Sequence, residues 1–310
     1  MKNRSLIFSI AIIITITTSG IVTLSLSIFL NNTPQQEAYY TFIDSKNRKV
    51  DVPFHPNRII SMAPSITEIL YALDIEDKLV GVTDYCDYPI EATTKPSIGG
   101  FSTPNLETIV SLNPDLIIAA SWNAESVALL ESLDLVVVVI LSKTLDEIIE
   151  NIGIIGNLTN SQNKALEVSQ SLYYDMEIII NKTSIINQTD KIECYFEIWE
   201  TPIVAGGYSF ISDMITKAGA INIFGNIDLE WPNVQHEWII ASNPDVIFIT
   251  EHSAPWYSQN VCDRTGYNVV NACINNRIYQ CHDDIYLRTG PRIIMALENM
   301  TRYLYPSLFI

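Results

Sequence analysis

The sequence predicts an α/β protein of two lobes with parallel sheets, joined by one long rigid interlobe α-helix. Three observations predict it. Short apolar runs alternate with amphipathic stretches over most of the chain, the pattern of strands and helices in a parallel sheet. The stretch "NLETIVSLNPDLIIA" (105–119) returns as "QHEWIIASNPDVIFI" (235–249), with six identities in the thirteen positions from 107 to 119. Between Gly156 and Pro202 there is neither Gly nor Pro, which leaves room for one uninterrupted helix.

The elements follow in order. Lys2 and Arg4 precede 26 uncharged residues, 5–30. As a helix these would run roughly 39 Å and cross a bilayer with some tilt. Residues 1–30 are therefore expected to be a membrane anchor or a signal segment. The anchor is favoured, since no A-x-A-like cleavage site follows and the first cysteine, Cys86, lies too far on for lipid attachment. In either case the positive end stays inside and the rest lies outside the cytoplasm. Residues 31–40 are polar and read as a tether.

The N-terminal lobe is expected over 41–158. "YTFIDSKNRKVDVP" alternates around a turn at 45–47, a β-hairpin signal. "RIIS" (58–61) is a short buried strand, and Ser65–Glu68 reads as a capping box opening a helix through Leu73. "KLVGVT" and "SIGG" give further strands. After the first copy of the repeat, "LLESLDLVVVVI" gives a helix end and a strand buried on both faces. The interlobe helix, 159–187, shows Ala165, Val168, Leu172, Met176 and Ile179 at helical spacing. In the C-terminal lobe, 188–310, the alternation resumes: "KIECYFEIW", a helix closed by Gly219, the second copy, "RIYQC", and a last helix after Pro291. Each lobe is thus expected to be Rossmann-like.

Both copies of the repeat run aromatic, cap, Glu, Asn-Pro-Asp, strand. Phe101 matches Trp231, Thr103 matches Asn233 and Glu107 matches Glu237. Thr103 and Asn233 are suitable N-caps, Pro104 suits a first helical position, and the prolines at 114 and 244 are expected to end the helices. Each Glu then stands in a first turn, where the helix dipole favours negative charge. One exposed acid per lobe could contact a two-fold partner. Two α/β lobes also imply a cleft beyond the carboxyl ends of their strands. The segments leaving those ends carry Tyr85, Phe101, Trp122, Trp199, Trp231 and Trp256, and all five tryptophans are expected at such positions. Aromatic rings there suit a large, flat, partly apolar ligand.

Composition excludes several classes. A net charge of −17 with 18 basic residues cannot assemble a basic stripe for nucleic acid. No G-x-S-x-G, phosphate loop, dinucleotide glycine fingerprint or zinc spacing occurs, so neither enzyme nor metal site is expected. His282 with Asp283 and Asp284 could hold a metal, but a solvated loop cluster is favoured. Cys262, Cys273 and Cys281 fall within twenty residues. A disulfide among them suits an oxidising compartment, with the pairing open. Sequons at Asn31, Asn157, Asn181, Asn187 and Asn299 permit glycosylation.

"NRIISMAPSITEILYALDIEDKLVGVTDYCDYP…KPSIGGFSTPNLETIVSLNPDLIIA" resembles the substrate-binding proteins of class III ABC importers, which bind cobalamin, ferric siderophores and haem. The resemblance runs from about residue 41 to 310. It implies that Glu107 and Glu237 dock to arginines of a permease dimer carrying ATPase subunits. "DYCDYP", "GGFSTPNLE", "EWPNVQHE" and "DDIYLRTGPR" are most similar to the cobalamin-binding members. By position Tyr85, Phe101, Trp231, Asp284 and Arg288 would then line a corrinoid site, with Trp122 and Trp199 less securely aligned. Arg288 is the one cleft cation this assigns, and so weak a charge favours a corrinoid over a ferric siderophore or haem. The chain is expected to act as a monomer, tethered to the outer face of the membrane, or secreted or periplasmic if the segment is cleaved. It would carry no cofactor beyond the transported ligand.

Overall fold

The computed structural model describes residues 11–16, 22–27, 39–100, 102–120, 124–199, 201–251 and 261–310. The chain divides into two compact units, Met1–Ala38 and Tyr39–Ile310. In the first, β1 (Ala11–Ile16) and β2 (Val22–Ser27) pair antiparallel, Ala11 opposite Ser27 and Ile16 opposite Val22. The helix expected over 5–30 falls in part outside the described residues, and those described pair as strands. Both strands are rich in Ile, Val and Thr, whose branched β-carbons favour extended backbone. Among the described residues no helix is long and apolar enough to cross a membrane.

The second unit opens with the expected hairpin, β3 (Tyr39–Ile43) and β4 (Lys49–Pro53), so the last two residues of the proposed tether already belong to a strand. Three parallel strands follow the order of the sequence: β5 (Ile59–Ser61), β6 (Leu79–Val82) and β7 (Leu116–Ala119), with β8 (Val137–Val139) completing a sheet of order β6-β5-β7-β8. Helix α1 (Pro64–Ala72) packs on one face, and α2 (Leu106–Ser111) and α3 (Ala124–Glu131) stand between the later strands. "SIGG" forms no strand, only single bridges of Ser97 to Val82 and Gly99 to Pro104.

The C-terminal lobe is built alike. Its sheet runs β10-β9-β12-β13, from β9 (Glu193–Trp199), β10 (Ile203–Val204), β12 (Val246–Thr250) and β13 (Ile278–Cys281), with β11 (Ile221–Asn222) also on β9. All but β10 are parallel to their neighbours. Its helices are α6 (Phe210–Lys217), α7 (His236–Ser242), α8 (Asn271–Ile274), α9 (Asp283–Tyr286) and α10 (Ile293–Leu304).

The connector is a pair of helices rather than one. Before α5 (Gln162–Thr183) runs α4 (Leu145–Thr159), turned back on it at Asn160 in the left-handed conformation, φ 66°. Gly156 permits the contact, because a Cβ there would fall 2.3 Å from that of Ala165. Both helices serve both cores. Ile152, Ile155, Leu158 and Ala165 pack in the N-terminal lobe. Leu145, Ile148, Ile149, Met176 and Ile179 pack in the C-terminal one. A helical pair embedded at each end resists bending more than a lone helix would.

The repeat now has a structural meaning. Asn113 and Asn243 both take positive φ, 45° and 48°, and it is they, ahead of the prolines, that turn the chain out of α2 and α7. Asp115 then accepts the backbone N–H groups of Asn57 and Arg58 at 2.7 and 3.0 Å, at the start of β5. Asp245 accepts that of Glu193 at 3.3 Å, at the start of β9. Each copy thus clips its own strand, β7 or β12, beside the first strand of its lobe.

Candidate functional site

A cavity of about 530 Å³ lies between the lobes at the carboxyl ends of the strands, a size usual for small-molecule sites. Its N-terminal-lobe wall is Lys46, Ala63, Pro64, Ser65, Ala120, Leu141, Ser142 and Lys143; its C-terminal-lobe wall is Phe210, Glu230, Trp231, Leu287, Arg288 and Thr289. A groove of about 440 Å³ between α5 and α10 is far from any strand end and is lined by the connector rather than by facing lobes.

Of the residues expected at the ligand, Trp231 and Arg288 line this cavity. Trp231 stands edge-on to Phe210, centroids 6.0 Å apart, an anchored aromatic wall. Tyr85, 62% exposed, and Trp199, 45% exposed at the end of β9, stand outside the walls. So does Asp284, which turns onto Arg288 at 2.5 Å. Phe101, Trp122 and Trp256 lie outside the described residues. Trp238 corrects the expectation for the tryptophans: it is exposed on α7, one residue past Glu237, not at a strand end.

Arg288 is the centre of an interlobe ion cluster. It donates to Glu68 at 3.2 Å and Asp87 at 2.8 Å, both of the N-terminal lobe, as well as pairing with Asp284. Arg292 adds a two-pronged contact to Glu68 at 2.6 and 2.9 Å and stacks 3.9 Å from the Tyr88 ring centroid. Glu68 is 2% exposed at its side chain. It therefore does not complete the expected capping box. Pro64 already begins α1, so Ser65 lies inside the helix and Ala63 takes the cap position without a side-chain bond. Burial alone would lower the pKa of Arg288, but Asp87, Glu68 and Asp284 raise it; burial alone would raise that of Asp87, but Arg288 lowers it.

The cleft also holds cations that the sequence reading did not assign. Lys143 lies four residues past the end of β8, in the loop that leads into α4. It is held by a variant of the capping box, in which the acid reaches one residue beyond the cap. Thr144 Oγ1 accepts from the Glu147 N–H at 3.1 Å, and Glu147 Oε2 accepts from the Lys143 N–H at 2.6 Å. Lys46 sits in the β3–β4 turn, which reaches the cleft because the Ser45 N–H donates to Val139 O at 3.0 Å. Opposite them Glu230 is exposed at its own surface yet partly desolvated by its surroundings. Burial raises its carboxyl above the usual range, against the opposing pull of Lys143 and a Trp231 hydrogen bond. The expectation of a weakly charged cleft with Arg288 as its one cation is thus corrected. Arg288 is matched by three carboxylates, and Lys46 and Lys143 add positive charge on the N-terminal-lobe wall.

Glu107 and Glu237 are exposed at the second position of α2 and α7. A short turn joins each helix to the strand after it, so each first turn stands at the carboxyl edge of its sheet, beside the cleft. The caps fall two residues later than expected. Asn105 accepts from the Thr108 N–H at 3.1 Å, and Gln235 takes the place in the second copy, because Pro104 and Asn233 are engaged in bridges to Gly99 and Ile203. Behind α7, His236 Nδ1 lies 2.9 Å from Tyr267 Oη, and Arg264 stacks on Tyr267 while gripping fully buried Glu197 at 2.7 and 2.9 Å. The disulfide Cys262–Cys273 closes this segment; Cys281 is free and buried. Among the described residues no cluster of His, Cys, Asp or Glu could hold a metal.

Known proteins share this arrangement. The periplasmic binding protein family model matches residues 59–285. An uncharacterized ABC transporter substrate-binding lipoprotein of Bacillus subtilis is 29% identical over 87% of this chain and 86% of its own. A vitamin B12-binding protein of Vibrio cholerae is 32% identical over 81% of this chain and 90% of its own. The crystal structure of a possible iron-binding, periplasmic solute-binding protein from Staphylococcus epidermidis is 32% identical with a TM-score of 0.72, covering 81% of this chain and 99% of that one. The family model over residues 59–285 and the 32% identity over most of the chain show that this chain belongs to the periplasmic binding protein family, the solute-binding proteins of ABC importers, which carry a ligand rather than transform it.

Proposed function

We propose that the protein captures a corrinoid between its lobes outside the cytoplasm and delivers it to an ABC permease. The observation that carries this is the cleft wall of Trp231 braced on Phe210, beside an arginine already matched by three carboxylates. Such a wall offers a flat apolar surface, and a corrinoid presents a large macrocycle ringed mostly by neutral amides. The 32% identity to a vitamin B12-binding protein supports the reading. Glu107 and Glu237 would meet a two-fold permease, one acid from each lobe. The uncharged stretch 5–30 is the part proposed to hold the protein at the membrane.

Lys46 and Lys143 favour a second reading, a haem or ferric siderophore with several carboxylates. The similarity to a possible iron-binding protein supports it. Titrating the purified protein with cyanocobalamin by calorimetry and visible absorbance decides between them. Saturable heat with a spectral change is expected. No heat with cyanocobalamin, and heat with haemin or a ferric siderophore, would replace the corrinoid reading by the second.

A further inference from the structure

Lys143 has a place in the cleft that neither the aromatic wall nor the ion cluster uses. Its backbone N–H is held by Glu147 Oε2, in the first turn of α4 that Thr144 caps. The Leu145 N–H, in the same turn, donates to Asp213 Oδ2 of the other lobe at 2.8 Å, so the base of this side chain is tied to both lobes. Its ammonium stands 5.7 Å from the centroid of Tyr208, which is exposed on the C-terminal lobe. Lys143 therefore reaches across the mouth. Among the described residues it forms no ion pair with a carboxylate, whereas Arg288 forms three. The neighbouring wall adds Lys46, and α1 begins there without an acid in its first turn or a side chain on its cap. Facing it, Glu230 is the cleft's acid, and burial weakens its tendency to ionise. Lys143 therefore brings to the cleft wall a positive charge that no ion pair holds among the described residues.

We infer that Lys143 is a specificity-determining residue that binds the peripheral anionic group of the macrocyclic ligand, lying against Tyr208. In a complete corrinoid that group is the phosphodiester joining the macrocycle to its nucleotide. In a haem it would be a propionate. The inference rests on the corrinoid reading for the identity of the group. It predicts that the protein separates complete corrinoids from cobinamide, which lacks the phosphodiester.

The test titrates the full chain and its Lys143→Gln and Lys143→Arg variants with cyanocobalamin, dicyanocobinamide and haemin at two salt concentrations. Lys143→Gln is expected to weaken cyanocobalamin about tenfold, the low end for a charge-assisted contact because the ammonium is exposed. It should leave cobinamide within about twofold, flatten the salt dependence, and be largely rescued by arginine. Thermal melting shows whether the variants fold as the parent does. Equal cyanocobalamin affinity in parent and Lys143→Gln, or equal losses for both corrinoids, overturns the role of Lys143 while leaving the corrinoid reading intact. Haemin binding that weakens in Lys143→Gln, with neither corrinoid bound, keeps the anion contact and overturns the corrinoid reading. If none of the three binds, both fall.

Discussion

Removing Glu68 should loosen the joint between the lobes. Its carboxylate is 2% exposed and accepts three guanidinium N–H groups, one from Arg288 at 3.2 Å and two from Arg292 at 2.9 and 2.6 Å. Glu68→Ala leaves two partly buried arginines facing a hole. Arg288 keeps Asp87 and Asp284, but Arg292 keeps the Tyr88 ring and a long bond to Asp284 O at 3.4 Å. Breaking a buried ion pair by removing one partner costs about 3–5 kcal/mol. Two desolvated cations put this case in the upper half of that range, roughly 4 kcal/mol. At about 2–4 °C per kcal/mol for a chain of this size, the melting temperature should fall by roughly 10 °C. Glu68→Gln keeps one acceptor oxygen but loses the charge, so about half the loss is expected. Urea unfolding followed by circular dichroism measures both. A Glu68→Ala midpoint within about 1 kcal/mol of the parent would refute the reasoning, because it would mean that the arginines are held as well by water as by the carboxylate.

Three further outcomes follow from the same structure. Glu107→Ala with Glu237→Ala should leave cyanocobalamin titration unchanged and abolish uptake through the permease; loss of ligand binding in the pair would place these acids in the site and refute the docking role. Asp44 and Asp87 both have lowered carboxyl pKa values. Burial opposes this in each case, and hydrogen bonds from Arg48 and from the Arg48, Lys46 and Val139 N–H groups, or from Arg288, outweigh it. A lowered pKa means that the folded state binds protons less readily than the unfolded chain. Their contribution is therefore present above about pH 4 and lost as pH falls below it, seen as a falling urea midpoint; a midpoint flat from pH 5 to 3 would contradict this. Replacing Cys262 and Cys273 by Ser opens a loop with a sequence separation of 11 and should cost roughly 3 kcal/mol by chain entropy, measured by urea unfolding against the oxidised parent.

What the sequence disclosed depended on how local each signal was. The hairpin at 39–53, the helix over 162–183 and the doubled Asn-Pro-Asp unit were legible because periodicity, turn chemistry and repetition all lie within short windows. The helix α4 went unseen although Thr144 and Glu147 of "TLDE" at 144–147 both cap its start, while the similar signature at 65–68 was read as a cap and is not. The difference lies in partners 220 and more residues away: Glu68 is taken by Arg288 and Arg292, whereas Glu147 has only its own helix to serve. Local capping rules hold where no distant charge competes. Lys46 was hidden for the same reason, since only the docking of a hairpin turn onto β8 brings it to the cleft.

The two kinds of arginine and lysine in the cleft therefore do different work. A guanidinium ringed by Glu68, Asp87 and Asp284 is bound on three sides, and any ligand anion approaching it must displace a carboxylate already desolvated with it. Such a residue sets the distance between the lobes. Lys143, on a fixed backbone and paired with no carboxylate among the described residues, can accept an anion without breaking anything. Recognition of ligand charge should then lie on the N-terminal lobe and recognition of the apolar face on the C-terminal lobe, at Trp231 and Phe210. A ligand holding both walls at once would bridge the lobes where the ion cluster already joins them, so capture needs little closure. The helical pair α4–α5, embedded in both cores, would resist more.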